Sequence, residues 1–349
     1  MPPLVSILIP AYNAENWISD TLESALQQSW PRKEIIVVDD SSTDNTFAVA
    51  RGFASRSVSV VTKPNGGASS TRNKAFSLAQ GEFIQWLDAD DLLARDKIEK
   101  QMRAFDEAAD KRILFSSAWG RFLHRPDRAE FTPTSIWCDL KPVEWLLRKL
   151  KDNVFMQTGV WLVSRELSEA AGEWDTRLLG DDDGEYFCRV LLASNGVRFV
   201  PDAKMFYRRS GNASLSYIGT SNKKLEAQFL SMQLHIRYLR SLEDSPRVRD
   251  ACLTFIQDWL IQFYPERPDL VAELGKLAEG LGGRLEAPRL SWKYAWIGKL
   301  FGFPTAKRAQ MQYNQYKSSV LRRWDKAAIR LDGGNSSRRR QTGQPQHIR

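Results

Sequence analysis

The 349-residue chain is poor in cysteine: Cys138, Cys188 and Cys252 are its three, widely spaced and without a Cys-x-x-Cys pair. An odd, scattered set argues against a disulfide framework and for a reducing compartment. Long hydrophobic runs are also missing, and none approaches the ~18–20 residues that a membrane span needs. The first apolar run, Leu4–Ile9, is interrupted by Ser6 and closed by Pro10, and no Lys or Arg precedes it. That is the wrong pattern for a secretory signal, so the expected location is cytoplasmic. Internal repeats are absent. With 42% hydrophobic and 26% charged residues, the composition excludes a disordered chain. The length suits about two domains, or one large domain with an appendage.

Charge is present in excess but not everywhere. Fifty Lys and Arg against 42 Asp and Glu give +8. Residues 1–283 hold 35 against 39, a net −4, and residues 284–349 hold 15 against 3, a net +12. The basic balance that would invite a nucleic-acid or membrane reading is therefore wholly C-terminal.

The first hundred residues switch between two periods. Leu4–Ile9, Glu34–Val38, Val58–Thr62 and Glu82–Leu87 read as buried strands. Helical spacing runs through Trp17, Ile18, Thr21, Leu22, Ala25 and Leu26 and stops at Trp30-Pro31. Two further helices are predicted over roughly 45–55, with Asp44 as N-cap, and over about 68–79. Strands alternating with helices imply a parallel, doubly wound sheet, whose ligands bind at the carboxyl ends of the strands. Each strand here is followed at once by polar residues: Pro10–Asn13, Asp39-Asp40, Asn65-Gly66-Gly67 and Asp88–Asp91. One such end is a turn; four together are a site signal. Later, Leu225, Phe229, Met232, Ile236 and Leu239 form one helical stripe, and Val248, Cys252, Phe255, Trp259 and Phe263 another.

The sharpest motif is Phe83–Asp91, a strand ending in Asp88-Ala89-Asp90. Hard divalent cations want oxygen ligands, and Mg²⁺ often takes one or two carboxylates plus substrate phosphate oxygens. Asp39, at the end of a second strand, can accept hydrogen bonds from a base or a ribose. Between the two lies Asn65–Ala75, a glycine loop entering a helix that carries Arg72, a residue type able to grip a diphosphate bidentately.

These segments resemble glycosyltransferase family 2, the inverting nucleotide-sugar transferases of the GT-A fold. The resemblance rests on Ser6–Asn13, Val38–Thr46, Ala68–Ala75 and Leu87–Asp91, in family order and at family-like spacing. It is close over residues 4–110, looser to about 216, and ends there. It implies a Rossmann-like, mostly parallel α/β sheet flanked by helices, with a helical basic C-terminal extension. The implied units are a GT-A domain over 1–216 (nucleotide half 1–110, acceptor half 111–216), a helical extension over 217–283, and a basic aromatic segment with a disordered tail over 284–349. By the same resemblance, Pro10, Ala11, Tyr12, Asn13 and Asp39 hold the nucleoside, most naturally a uridine. Arg72 lies near the diphosphate, Asp88 and Ala89 near the ribose, and Asp90, with Asp88, ligates Mn²⁺ or Mg²⁺. A divalent ion would offset the charge that builds on the leaving diphosphate.

An inverting transfer is a single displacement, so a base must take a proton from the acceptor hydroxyl. Gly180–Arg189 resembles the family's acidic stretch, which makes Asp183 the base and Asp182 its reserve, with Glu185 the following acid and Arg189 the closing Arg. One family feature is missing. Ser210 stands where a metal-binding His often follows a Tyr-Arg pair, here Tyr207-Arg208, and the three histidines, His124, His235 and His347, lie elsewhere. Metal binding would then rest on Asp90, the diphosphate and water, or Arg208 or Arg209 would balance part of the charge.

Trp137, Trp161 and Trp174 could stack on an acceptor sugar, although core packing is the commoner use of such residues. In residues 284–331, Lys and Arg sit beside Trp292, Tyr294, Trp296, Phe301 and Phe303. That mixture suits either a peripheral contact with an anionic membrane, near a lipid-linked acceptor, or an ordinary helical extension. Nucleic acid is not expected as a partner. The expected partners are a nucleotide-sugar donor and a saccharide or lipid-linked acceptor. A non-catalytic nucleotide-sugar-binding protein is the main alternative. A sugar-phosphate nucleotidyltransferase would need a glycine-rich loop where Pro10–Asn13 stands.

Overall fold

Six of the seven residues of Val5–Ala11 are buried, and a strand covered on both faces belongs inside a parallel sheet flanked by helices. This is β1 of a computed structural model that describes residues 1–209, 221–288, 290–314, 316–317 and 319–320. The strands are β1 (Val5–Ala11), β2 (Lys33–Asp39), β3 (Val58–Thr62), β4 (Phe83–Trp86), β5 (Leu92–Leu93), β6 (Ile113–Phe122), β7 (Glu130–Phe131), β8 (Leu162–Ser164) and β9 (Gly196–Arg208). The helices of the sheet region are α1 (Ile18–Leu26), α2 (Thr46–Arg51), α3 (Gly67–Leu78), α4 (Lys97–Ala108), α5 (Pro142–Lys151), α6 (Arg165–Ala171) and α7 (Asp182–Ala193). Then come α8 (Asn222–Leu242), α9 (Pro246–Phe263), α10 (Pro268–Gly280) and α11 (Trp292–Phe301).

The strands form one sheet in the order β3-β2-β1-β4-β8-β6-β9-β5, with β7 on β6. From β3 to β4 every pairing is parallel, with α1, α2 and α3 as crossovers. In register, Ala11 lies opposite Asp39 and Asp39 opposite Thr62. The carboxyl ends of these strands therefore share one edge, and the polar residues after each strand gather there. The parallel pattern stops at β4. β8 joins it antiparallel, and beyond it only β6 and β9 are parallel, with a register shift between Ser117 and Ala118. The fully parallel sheet read from the first hundred residues thus holds for one half of a mixed sheet. β8 has three residues, too few to display a period.

The second expected helix is shorter than predicted. It starts at Thr46, with Asn45 rather than Asp44 at the capping position. Asp44 still serves that turn, because its Oδ1 accepts the Thr46 amide at 2.9 Å.

One apolar core runs from the sheet into the C-terminal helices. Leu225, Met232, Ile236 and Leu239 of α8 are buried in it, as are Val248, Cys252, Phe255 and Phe263 of α9. Trp161 stacks on Phe187 at 5.1 Å, and Trp174 stacks on Tyr186 at 4.1 Å and lies edge-on to Trp86. Both indoles are buried, so they pack the core and offer no face to a sugar. Trp137, half-buried, lies against Phe199 at 5.7 Å. No helix among the described residues is long and apolar enough to cross a membrane.

Candidate active site

At the tip of β2, Asp39 is buried. Its Oδ2 accepts from the Ser42 amide at 3.1 Å and the Thr62 hydroxyl at 3.3 Å. Its Oδ1 is buried with no hydrogen-bond partner. A lone carboxylate oxygen of this kind costs free energy unless a donor meets it. The loop from β1 runs alongside. Asn13, in the left-handed region at φ 49°, accepts from the Thr43 amide at 2.8 Å, and its own amide donates to Ser42 Oγ at 3.0 Å. Pro10 and Ala11 are thereby fixed beside Asp39, while Tyr12 is 52% exposed. The neighbouring Asp40 has a different task. It accepts the Gly66 and Gly67 amides at 3.0 and 2.8 Å and pairs with Lys63 at 2.6 Å. It thereby pins the glycine loop at the start of α3, where Gly67 has φ +84°, a conformation that disfavours a side chain.

The Asp88–Asp91 loop follows β4. Thr21 of α1 donates to the Ala89 carbonyl at 2.9 Å. Arg208, at the end of β9, locks the loop from the other side. Its Nε donates to the Asp90 carbonyl at 2.8 Å, its amide to Asp91 at 2.8 Å, and its guanidinium pairs with Asp20 at 2.9 Å. Arg208 is buried over Trp17 and Phe122. It clamps the loop backbone, and its charge offsets part of the acidic charge around Asp91. Ser210 lies outside the described residues.

Acidic charge is crowded here. Burial, and then the charges of Asp90 and Asp88, push the Asp91 carboxyl well above the usual carboxylate range. The Tyr207 hydroxyl is raised by burial and by Asp91, Asp90, Asp88 and Asp183. Among the described residues no three His, Cys, Asp or Glu side chains converge into a metal cage. Even so, a patch of hard oxygen donors whose neighbours resist ionising is suited to a divalent cation that a substrate completes. Asp88 and Asp90 are the residues that would hold it.

Arg72 joins the loop to the second half of the chain. Its guanidinium donates to Asp88 at 2.9 Å and to Asp182 at 2.5 Å, and it lies 4.4 Å over the Trp174 ring. Burial alone would lower its pKa. The charges of Asp182, Asp88 and Asp183 outweigh that and raise it. The resemblance placed this guanidinium near a diphosphate; its two terminal nitrogens meet the Asp182 and Asp88 carboxylates. Asn73, one residue on, holds both backbone groups of Trp174, at 3.0 and 2.8 Å.

Asp182 and Asp183 open α7. Asp182 is taken up by Arg72 and by Ser69 at 3.2 Å. Asp183 is half-buried; it accepts from Thr158 Oγ1 at 3.2 Å and from the Gly184 amide. Burial, then Asp182 and Asp181, raise its pKa to about 7. Behind these residues stands α8. Asp181, at φ 54°, accepts from Ser231 at 2.5 Å, with His235 Nδ1 at 3.5 Å. A Cβ on Gly184 would fall 2.0 Å from Asp181 Oδ1, so a side chain there would displace the Asp181 carboxylate. Glu185 is held by Arg189 Nε and Nη2, at 2.8 and 2.9 Å, and by the Tyr238 hydroxyl at 2.6 Å. The sequence reading missed Ser231 and Tyr238 as supports. Both lie off the apolar stripe of α8, on a second buried face shared with Gln228 and His235, so the stripe gave no signal for them. His235 is fully buried, and burial lowers its pKa.

The family model for glycosyl transferase family 2 matches residues 6–167. The chain carries a family 2 glycosyltransferase domain. Among curated proteins, TuaG of Bacillus subtilis, named for teichuronic acid biosynthesis, is 45% identical over 103 residues, 29% of this chain. The chain spans 41% of that relative's length. Two solved structures share the fold. S. aureus TarS 1–349 with UDP-GlcNAc superposes with a TM-score of 0.64 at 17% identity, over 79% of this chain and 81% of that one. The mannosyltransferase PcManGT of Pyrobaculum calidifontis, with GDP-Man and Mn²⁺, gives 0.51 at 20% identity, over 93% and 88%. The GT-A architecture expected from the domain's motifs is therefore the one found.

Proposed function

We propose that the chain is an inverting, metal-dependent glycosyltransferase. It moves a sugar from a UDP-linked donor to a hydroxyl of a saccharide or lipid-linked acceptor in cell-surface polysaccharide synthesis. The observation that carries this reading is the Arg72 bridge, because it brings the Asp-x-Asp loop and the start of α7 into one cleft. A UDP-GlcNAc complex of one structural neighbour and the teichuronic acid role named for TuaG support the donor and the pathway class.

In this reading Asp39 Oδ1 accepts an N–H of the base, and Tyr12 offers its exposed ring beside it. Asp88 faces the ribose side and, with Asp90, holds Mn²⁺ or Mg²⁺; PcManGT was solved with Mn²⁺. The ion, when bound, offsets charge on the departing diphosphate. Arg72 acts as a positioning residue: it keeps Asp182 occupied and sets Asp183 toward the cleft. The acceptor oxygen forms a bond to the anomeric carbon as the bond to the diphosphate breaks, and the hydroxyl proton passes to Asp183. A carboxyl with a pKa of about 7 is well matched to that transfer at neutral pH. A lipid-linked acceptor would place the enzyme at the cytoplasmic face of a membrane, in contact through residues 284–331.

A thermal-shift panel tests the reading. UDP and UDP-sugars should raise Tm more than GDP does, and only with Mn²⁺ present. Asp90→Ala should abolish the metal-dependent part. Absence of any nucleotide shift would reassign the chain as a non-catalytic relative.

A further inference from the structure

The last described helices leave an apolar stripe uncovered. Trp292, Trp296 and Leu300 of α11 are 81%, 58% and 70% exposed. Spaced by four, they share one face of the helix. Lys299 and Lys293, both exposed, fall on either side of that stripe, each roughly 20° beyond its edge at 3.6 residues per turn. Between Glu286 and Asp325 the sequence has no acidic residue at all.

This helix is not a loose end. Residues 303–314 continue as helix after Gly302, and they are docked on the turn between α9 and α10. Ala306 and Lys307 are buried. Lys307 donates to the Tyr264 carbonyl at 2.6 Å and pairs with Glu266 at 2.6 Å. Phe303 packs edge-on against Tyr264 at 5.1 Å. Gln310 accepts the Ser291 amide at 3.2 Å, tying the start of α11 to the helix that follows it. The body thus presents the stripe while its anchor is buried.

We propose that α11 lies in the interfacial region of an anionic bilayer, with Trp292, Trp296 and Leu300 inserted and Lys293 and Lys299 at the lipid phosphates. Two tryptophans in line, rimmed by lysines and set in a stretch of sequence without acidic residues, match the headgroup boundary in both chemistry and charge. The helix has ten residues and lies on the surface; it does not span. A polyanion such as nucleic acid would want cations central to the face, where Trp296 and Leu300 stand. The inference deepens the lipid-linked arm of the functional reading, which it needs for its biological sense but not for its test.

The test is flotation of the full chain with vesicles of phosphatidylcholine alone or with 30% phosphatidylglycerol. Binding should be at least about tenfold tighter to the anionic vesicles and should weaken with salt. The triple change Trp292→Ser, Trp296→Ser, Leu300→Ser should lower it at least about tenfold, and the pair Lys293→Glu, Lys299→Glu comparably. The UDP-dependent thermal shift, read on the same variants, should be unchanged, which separates lost lipid binding from lost folding. No binding to anionic vesicles, or equal binding by the triple variant, overturns the proposal. So does light scattering that shows self-association through this stripe and no lipid binding. If vesicles bind but no nucleotide shifts Tm, this inference stands and the functional reading falls.

Discussion

The Asp39 end of the cleft is assembled from the tips of neighbouring parallel strands, whereas the Asp183 end is a helix start held from behind by another helix. At the first, each polar group ends its strand or follows it by a residue or two, and backbone amides of adjacent loops complete the geometry. At the second, support comes from residues 50 and 53 positions away, Ser231 and Tyr238. Arg72 links the two ends across 110 residues. A strand-tip site is specified by short motifs. A braced helix start is specified by packing, and it can be weakened without touching a group that would meet the substrate.

The comparison is broken most sharply at the acidic pair. Asp183→Asn should lower kcat roughly 100- to 10,000-fold with little change in donor KM, the size of effect a general base supplies. It should leave Tm close to that of the parent. Asp182→Asn should do the opposite. It strips the buried Arg72 of one partner and should cost about 3 kcal/mol of stability, read by denaturant unfolding. If Asp182→Asn remains stable while losing all turnover, the two roles are exchanged.

The same end carries a pH signature. A raised carboxyl pKa means that Asp183 is protonated, and idle as a base, below about 7. The rate at saturating donor should therefore fall about tenfold per unit on the acid side of that value. Because the folded state raises this pKa, ionised Asp183 destabilises the fold above it, and the penalty fades as pH falls. A rate that stays flat down to pH 5.5 would exclude Asp183 as the titrating base.

The Asp39 end should respond in binding instead. Asp39→Asn exchanges an acceptor that has no protein partner for an amide. UDP affinity should fall about 10- to 100-fold by calorimetry, with the metal requirement intact. Unchanged affinity would remove Asp39 from the nucleoside site.

These ends also differ in how much of them the sequence discloses. The strand-tip groups were legible because β1, β2 and β4 are apolar runs with polar stops, and the acids fall at the stops. The resemblance made Asp183 the base and Asp182 its reserve, but the pairing of Asp182 with Arg72 was not legible. Nothing local in the sequence reveals that two carboxylates reach Arg72. The partners of Arg208 stay hidden for the same reason: Asp20 and Asp90 come from α1 and the loop after β4. The antiparallel entry of β8 left too short a run to detect. Long-range pairing of charges is set by the fold, and a single sequence carries no record of it.

The smallest expected effect tests the bracing itself. Ser231 donates to Asp181 at 2.5 Å, and His235 Nδ1 lies 3.2 Å from the same hydroxyl. Ser231→Ala removes that donor but leaves His235 within reach of Asp181, so the left-handed turn before α7 is loosened and not lost. Stability should fall by about 1 kcal/mol, in the range of one buried hydrogen bond. Turnover should fall several-fold at constant donor KM, because a base displaced by a fraction of an ångström still binds nothing of the donor. Ser231→Thr, which keeps the hydroxyl, should restore most of the rate. A variant that loses stability but keeps full kcat would show that α8 packs against α7 without positioning Asp183.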